Sequence, residues 1–243
     1  MILINHIWFN IKNKYEGTVL GYFWHIIPIL LQFLTLNFIL SKMMNFNSPS
    51  MSSKLLIGLI CWSFFRDMTS SASHLVTFKW YHIKNYYFDL NKIMVIEFLT
   101  ALFNAFISIL LAMIFVSFND ISFNKLQFTI SIINLTLLTY LISSILFIIG
   151  AVYRDTFHLW NSFCGLLFWS IPIVYPIEKI PSDYINLFEL NPIFISIKGL
   201  TQSLEGSGSS LLILIQTSIV YLILSVVLSR FNNNFRNQVV AQL

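Results

Sequence analysis

The chain has 243 residues, of which 57% are hydrophobic and only 10% are charged, and its mean hydropathy is +0.77. Soluble domains carry roughly 25% charged residues, so this composition excludes a soluble globular protein and indicates an integral membrane protein. The formal net charge is +4, but the basic residues stand singly beside apolar segments, as topology signals do, and we expect no nucleic-acid partner.

The first 17 residues predict a short helix at the membrane surface. Ile7, Trp8 and Ile11 fall on one helical face of residues 1–17, with polar side chains off that face. Such a helix, with tryptophan on its apolar side, is typical of a segment lying in the interface plane; a frayed tail is the alternative. A basic n-region and a small-residue cleavage site are missing, so no cleaved signal peptide is expected.

Six apolar segments follow, and each can reach the ~20 residues that cross a bilayer core. We therefore predict an all-α integral membrane protein with six transmembrane helices in a single domain, 1–243. Pro28 lacks a backbone donor and is expected to kink the first helix, and the fifth segment is the shortest. The predicted spans are residues 19–43, 55–75, 94–117, 126–151, 157–175 and 210–229.

Basic residues set the expected orientation. With the N-terminus inside, eight Lys or Arg residues fall in cytoplasmic pieces and five fall outside. This bias predicts that both termini are cytoplasmic. The long loop 176–209 also carries four acidic residues, which fits an outside position.

Two loops exceed simple turn length. The cytoplasmic loop 76–93 is aromatic and basic without Gly or Pro, so it predicts a short surface helix suited to docking a partner; an interfacial segment anchored by its aromatic residues is the alternative. The outer loop 176–209 is broken at Tyr175-Pro176, Pro181 and Asn191-Pro192. These breaks predict a re-entrant pair of short helices, because irregular backbone at membrane depth requires surrounding protein or a water-filled cavity.

Sequence motifs for catalysis are missing. The chain contains no P-loop sequence, no H-E-x-x-H, no C-x-x-C and no G-x-S-x-G, so we expect neither a nucleotide site nor a metal site in it. Cys61 and Cys164 both fall within apolar segments and are predicted to be packed core thiols. The histidines are scattered and are interpreted as interfacial or packing residues.

Arg66 and Asp67 are the least expected residues, because they lie past the middle of the second predicted span. Ionisable residues at that depth indicate a functional site. Neighbouring residues point about 100° apart on a helix, so the two are not expected to pair with each other. Their side of the span either faces a hydrated conduit or a subunit, or the apolar span ends near Phe65 and the rest projects into the cytoplasm.

Aromatic side chains are the other candidates for lining a pathway, although most serve as lipid-facing or core bulk. Their faces stack on sugar rings, and polar groups nearby bond hydroxyls. The predicted lining residues are Tyr22, Phe33, Trp62, Phe65, Arg66, Phe168 and Trp169.

Five short motifs, in order along nearly the whole chain, resemble the type-2 ATP-binding-cassette permeases that export polysaccharides. Each motif alone is weak, but together they are specific. Two departures stand out: Phe88-Asp89-Leu90 replaces a Phe-Pro-Arg-like turn, and Arg66-Asp67 occupies a stretch that is usually small and uncharged. The motifs are Leu20-Gly21 with Trp24 and Pro28; Gly58-Leu59-Ile60 with Trp62 and Phe64-Phe65; Tyr153-Arg154-Asp155; Pro172 to Tyr175-Pro176; and Asn191-Pro192.

This resemblance implies a homodimer in the bacterial inner membrane that works with two copies of a separate ATP-binding-cassette subunit. ATP and Mg²⁺ would bind that subunit, with no cofactor in this chain. The substrate would be a lipid-linked glycan such as O-antigen, capsule or teichoic acid. The implied roles are coupling to the ATPase for Lys79, Trp80, Lys84 and Tyr87; an outer gate for Tyr175, Pro176, Asn191 and Pro192; and structural motif positions for Gly21, Trp24, Pro28, Arg154 and Asp155.

We therefore interpret the sequence as an O-antigen-type export permease that is not itself an enzyme. A drug or small-lipid exporter of the same permease group is the first alternative. A membrane glycan acyltransferase is a weaker one, for which His158, three residues after Asp155, is the faint candidate.

Overall fold

The computed structural model describes most of the chain, and its regular structure is entirely helical. This confirms the all-α prediction for the residues covered. The surface helix predicted in residues 1–17 lies almost wholly outside them, as does most of the loop 76–93. The described residues are 16–43, 48–78, 90–118, 124–175, 177, 180–206 and 211–242.

Eight α-helices and one 3₁₀ helix, Gly21–His25, make up the described fold. Five of the six predicted spans correspond to one helix each, with somewhat different ends, and the first is divided. The helices are α1 Ile27–Met43, α2 Pro49–Phe78, α3 Leu90–Phe118, α4 Lys125–Val152, α5 Thr156–Trp169, α6 Ser182–Glu189, α7 Pro192–Ser203 and α8 Leu211–Gln242.

Pro28 does not kink the first helix, so that prediction was wrong. The chain first forms a 3₁₀ turn in which Gly21 has φ +51°, and the α-helix begins only at Ile27. Pro28 is thus in the first helical turn, where its missing N–H removes no intrahelical bond.

Asparagine side chains cap the N-termini of two of the helices. The Asn124 side chain accepts a hydrogen bond from the backbone N–H of Gln127 at the start of α4. Asn191 does the same for Ile193 at the start of α7, with Pro192 in the first turn. An extended asparagine followed by a helix is a favoured N-cap, because its oxygen satisfies a backbone donor that the helix leaves open.

Three helices in the described part are long and apolar enough to cross a membrane: Lys92–Phe118, Lys125–Val152 and Leu211–Arg230. Helix α1 is apolar but shorter. The chain is therefore a multi-pass membrane protein, while the number six stays a prediction.

Helices α2 and α4 form the centre of the bundle. Helix α3 packs on α2, α8 packs on α4, and α5 and α7 pack against this central pair. At one point the backbones of the central pair touch: a Cβ added to Gly150 would stand 1.9 Å from the Ser73 carbonyl oxygen. Small residues allow such close approach between membrane helices, and here they bring α2 and α4 together beside the α4–α5 turn.

Candidate substrate pathway and outer gate

Arg66 and Asp67 form an ion pair on α2, which corrects the expectation that they would not pair. The Arg66 Nη2 donates to Asp67 Oδ1 at 2.9 Å, and Nε donates to the same oxygen at 3.1 Å. The arginine side chain is long enough to reach the next residue. Both side chains are partly exposed, with 43% of the Arg66 and 49% of the Asp67 side-chain surface accessible.

Helix α5 shows where this pair lies within the bundle. It runs antiparallel to α2, because the ring of Phe157 near its start lies 4.5 Å from that of His74, and the ring of Phe168 near its end lies 5.7 Å from that of Trp62. Between these contacts, the Trp160 indole donates to Thr69 Oγ1 at 2.9 Å and Ser70 donates to Asn161 Oδ1 at 2.8 Å. The part of α2 after Phe65 is therefore flanked by other helices and does not project alone. That the charged pair faces a conduit or a subunit stays a prediction.

The ion pair lies beside a partly exposed face of α5. A Cβ added to Gly165 of α5 would meet no atom within 4 Å, and its neighbour Cys164 lies within electrostatic range of both charges. One helical turn away, the Ser70–Asn161 bond joins the two helices. We give the name Arg66 groove to the surface formed by Arg66, Asp67, Ser70, Asn161 and Gly165.

The predicted pathway aromatics divide into two groups. Phe33, Trp62, Phe65 and Phe168 are buried within the chain. The ring centroid of Trp62 lies 5.7 Å from those of both Phe65 and Phe168, with the rings tilted against each other, so these three form one buried aromatic cluster.

The other two aromatics are less enclosed. Trp169 is 62% exposed at the end of α5. Tyr22 lies in the 3₁₀ turn and donates to Asn104 Oδ1 of α3 at 3.0 Å, which ties the start of the first span to its neighbour. The lining role of all six aromatics stays a prediction.

The predicted structural motif positions lie at helix starts and turns. Gly21 adopts its positive φ in the 3₁₀ turn, and Trp24 is 48% exposed in that turn. Arg154 and Asp155 are exposed in the tight turn between α4 and α5. Thr156, the residue after Asp155, stabilises that turn, because its hydroxyl donates to the Tyr153 carbonyl at 2.7 Å.

The predicted outer gate is a helical hairpin, α6 followed by α7, with Asn191-Pro192 between them. The Asn191 side chain has two roles: its oxygen caps α7, and its amide donates to Ser170 Oγ at the end of α5 at 3.1 Å. The Tyr175 hydroxyl donates to the Trp169 carbonyl at 3.1 Å, folding the chain back after α5. Pro176 lies outside the described residues.

Helix α7 runs antiparallel to the first part of α4. Ser196 donates to Asn134 Oδ1 at 2.6 Å near the start of α7, and Asn124 N–H donates to the Ser203 carbonyl at 2.8 Å at its end. Ten residues separate Asn124 from Asn134 on α4, which corresponds to about 15 Å. Ser196 of α7 therefore lies about 15 Å along α4 from Asn124.

Asn134 is a residue that the sequence reasoning missed. Its amide nitrogen donates to Leu214 O, Thr217 Oγ1 and Ser218 Oγ of α8 at 2.8–3.1 Å. Together with Ser196, these contacts join three helices at a fully buried side chain. An asparagine inside an apolar run was the available signal, because a polar group in such a segment requires a partner.

A small cavity lies beside the end of α7. It has a volume of ≈ 80 Å³ and is bordered by the first turns of α2, the chain after α5 and the end of α7. An ion pair between Lys54 and Glu205, both of which line it, links α2 to the residues after α7.

The cysteines are free and buried, which confirms their prediction as core thiols. The predicted coupling residues Lys79, Trp80, Lys84 and Tyr87 lie outside the described residues.

Comparison with known proteins identifies a relative that is an export permease. No protein-family profile matches the chain. The chain is similar to the O-antigen export system permease protein RfbA of Myxococcus xanthus, with 22% identity over 205 residues that cover 79% of this chain and 75% of the relative. The alignment spans most of both chains, so the likeness concerns the permease as a whole. The resemblance to type-2 ATP-binding-cassette permeases of polysaccharide export, first indicated by five short motifs, is thereby confirmed.

Proposed function

We propose that this chain is the transmembrane subunit of an ATP-driven exporter that moves a lipid-linked polysaccharide of the O-antigen type across the bacterial inner membrane. The observation that carries this proposal is the similarity to an O-antigen export permease over 79% of the chain. The multi-pass helical bundle supports it, since the relative is also a permease.

The proposed exporter contains two copies of this chain and two copies of a separate ATP-binding-cassette subunit. ATP and Mg²⁺ bind the partner subunits, and residues 76–93 together with the N-terminal segment transmit their motion. Both termini are cytoplasmic in this arrangement. Lys79, Trp80, Lys84 and Tyr87 contact the partner.

The glycan passes along the Arg66 groove in this proposal. An ion pair that is half exposed within the helix bundle is costly against lipid, but it is well solvated beside a polar substrate and water. The groove offers a guanidinium, a carboxylate, an amide and a hydroxyl, which match the hydroxyl groups of a sugar. Trp169, exposed at the far end of α5, supplies an aromatic face further along the path.

The hairpin of α6 and α7 acts as the outer gate. The position of Ser196 beside α4, about 15 Å along that helix from Asn124, supports a re-entrant position in which the hairpin enters the membrane and returns. The bond from Asn191 to Ser170 connects the gate directly to the end of α5, which borders the groove.

Deletion of the gene tests this proposal. We expect surface polysaccharide to disappear and lipid-linked glycan to accumulate inside the cell, measured by gel analysis of surface glycan and by extraction of glycolipid. Re-expression of the chain should restore both. Normal surface polysaccharide in the deletion strain would refute the proposed substrate.

A further inference from the structure

The two halves of the hairpin are held very differently. Most side chains of α7 are buried, among them Phe194, Ile197 and Leu200. In α6, by contrast, every side chain that the structure describes is at least partly exposed, with Tyr184 and Leu187 exposed by more than half. One half of the hairpin is therefore part of the core and the other lies on it.

Helix α7 is joined to the core by polar bonds as well as by packing. Asn134 accepts from Ser196 of α7 and donates to α8, and Gln127 Nε2 donates to the Gly199 carbonyl at 3.1 Å. The packing beside Gly199 leaves no spare room, because an added Cβ would lie 2.6 Å from Ser131 Oγ and 2.7 Å from Leu214 Cδ1. Displacing α7 would leave these buried polar groups without partners, which is costly in an apolar setting.

The contacts between α6 and α7 are weaker. The last turn of α6 forms an ion pair between Glu189 and Lys198, with 44% and 23% of the two side chains exposed. The ring of Phe188 lies 5.8 Å from that of Phe194. Exposed ion pairs contribute little to stability, so separating α6 from α7 costs much less than separating α7 from α4.

From this contrast we infer that α7 is the stationary half of the hairpin and that Asn134 is the positioning residue that fixes it, whereas α6 moves about Asn191-Pro192. This inference rests on the proposed gate. The residues between the two helices suit a pivot, because Asn191 caps the fixed helix and bonds Ser170, while Pro192 restricts the backbone where α7 begins. Opening then requires that α6 leave α7 while the α4–α7–α8 junction stays intact.

Crosslinking in cells tests which interface opens. In a Cys61→Ala, Cys164→Ala background, one variant carries Glu189→Cys with Lys198→Cys to join α6 to α7. Its matched control carries Asn124→Cys with Ser203→Cys to join α4 to α7. After treatment with the same short bis-maleimide, we expect the first lock to reduce surface polysaccharide by about tenfold or more and the second to leave it within about twofold. The inference would be overturned if both crosslinks reduced surface polysaccharide equally, or if neither reduced it.

Spin-label distances test the motion without any reference to export. In purified protein in lipid nanodiscs, a Leu126→Cys label on α4 is paired with Leu187→Cys on α6 or with Lys198→Cys on α7. We expect a broad distance distribution for α6 and a narrow one for α7. Distance distributions of equal width for α6 and α7 would overturn the inference, whether or not the chain exports polysaccharide. A broader distribution for α6 would support the inference, even if the export proposal failed.

The role of Asn134 has its own readout. Asn134→Ala should broaden the distribution between the α4 and α7 labels, because the bonds to Ser196 and α8 are all lost. Ser218→Ala removes one acceptor and leaves the others, so its distribution should stay narrow. An unchanged α4–α7 distance distribution in Asn134→Ala would show that Asn134 does not position α7.

Discussion

At the residue scale, two glycines differ in the space around their Cα atoms. The position of Gly150 has no room for a side chain, whereas that of Gly165 is open. We therefore predict that Gly150→Ala lowers protein stability by about 1–3 kcal/mol, as overpacking does, and that Gly165→Ala leaves it nearly unchanged. Thermal unfolding in detergent measures both, and equal melting temperatures would contradict the close α2–α4 contact.

The ion pair of Arg66 and Asp67 gives a second prediction at this scale. Replacing both residues by leucine removes the charges together, so neither is left unpaired. If the pair serves the pathway, the double variant should reach the membrane at normal levels and lose most of its export. Export at the wild-type level, with equal or greater thermal stability, would show that the pair has no pathway role.

Single residues also show the limits of sequence reasoning. Arg66 stood out in the sequence as a charge within an apolar run, but its pairing with Asp67 did not, because helical geometry alone separates neighbouring side chains. Asn134 was missed for a similar reason. Its importance comes from α7 and α8, which lie more than 50 residues away in sequence and meet it only in the fold.

At the scale of elements, the helices themselves were largely predictable. Long apolar runs indicated the bundle, and the prolines at 176, 181 and 192 indicated that the fifth segment would be followed by short pieces. Helix ends were less predictable: α5 stops at Trp169, six residues before the predicted end. The chain after it instead folds back through the bond from Tyr175 to Trp169, a tertiary contact that no local pattern signals.

Asn191 permits a prediction that separates two functions of one side chain. Asn191→Asp keeps an oxygen to cap α7 but loses the amide that donates to Ser170, whereas Asn191→Ala loses both. Loss of the cap alone costs about 1 kcal/mol. We expect both variants to reduce export and only the alanine variant to lower the melting temperature clearly. Wild-type export in Asn191→Asp would show that the link to α5 is dispensable.

At the scale of the whole molecule, two polar sites in the described bundle differ in character. The Arg66 groove lies between α2 and α5, and the Asn134 junction lies between α4, α7 and α8. The first is partly exposed and the second is buried and hydrogen-bonded, which suits a path and a fixed support respectively. In the proposed exporter, α5 links the two places, since it carries Asn161 and Gly165 of the Arg66 groove and Ser170 at its end accepts a hydrogen bond from Asn191, which caps α7.

Transport in inverted membrane vesicles tests the central claim most directly. Vesicles that contain this chain and its ATP-binding partner receive labelled lipid-linked glycan, and the fraction protected from an added glycosidase is followed with time. We predict that protection increases only when ATP, the partner and this chain are all present, and that a partner variant unable to hydrolyse ATP abolishes the increase. Equal protection in vesicles that lack this chain would contradict the account.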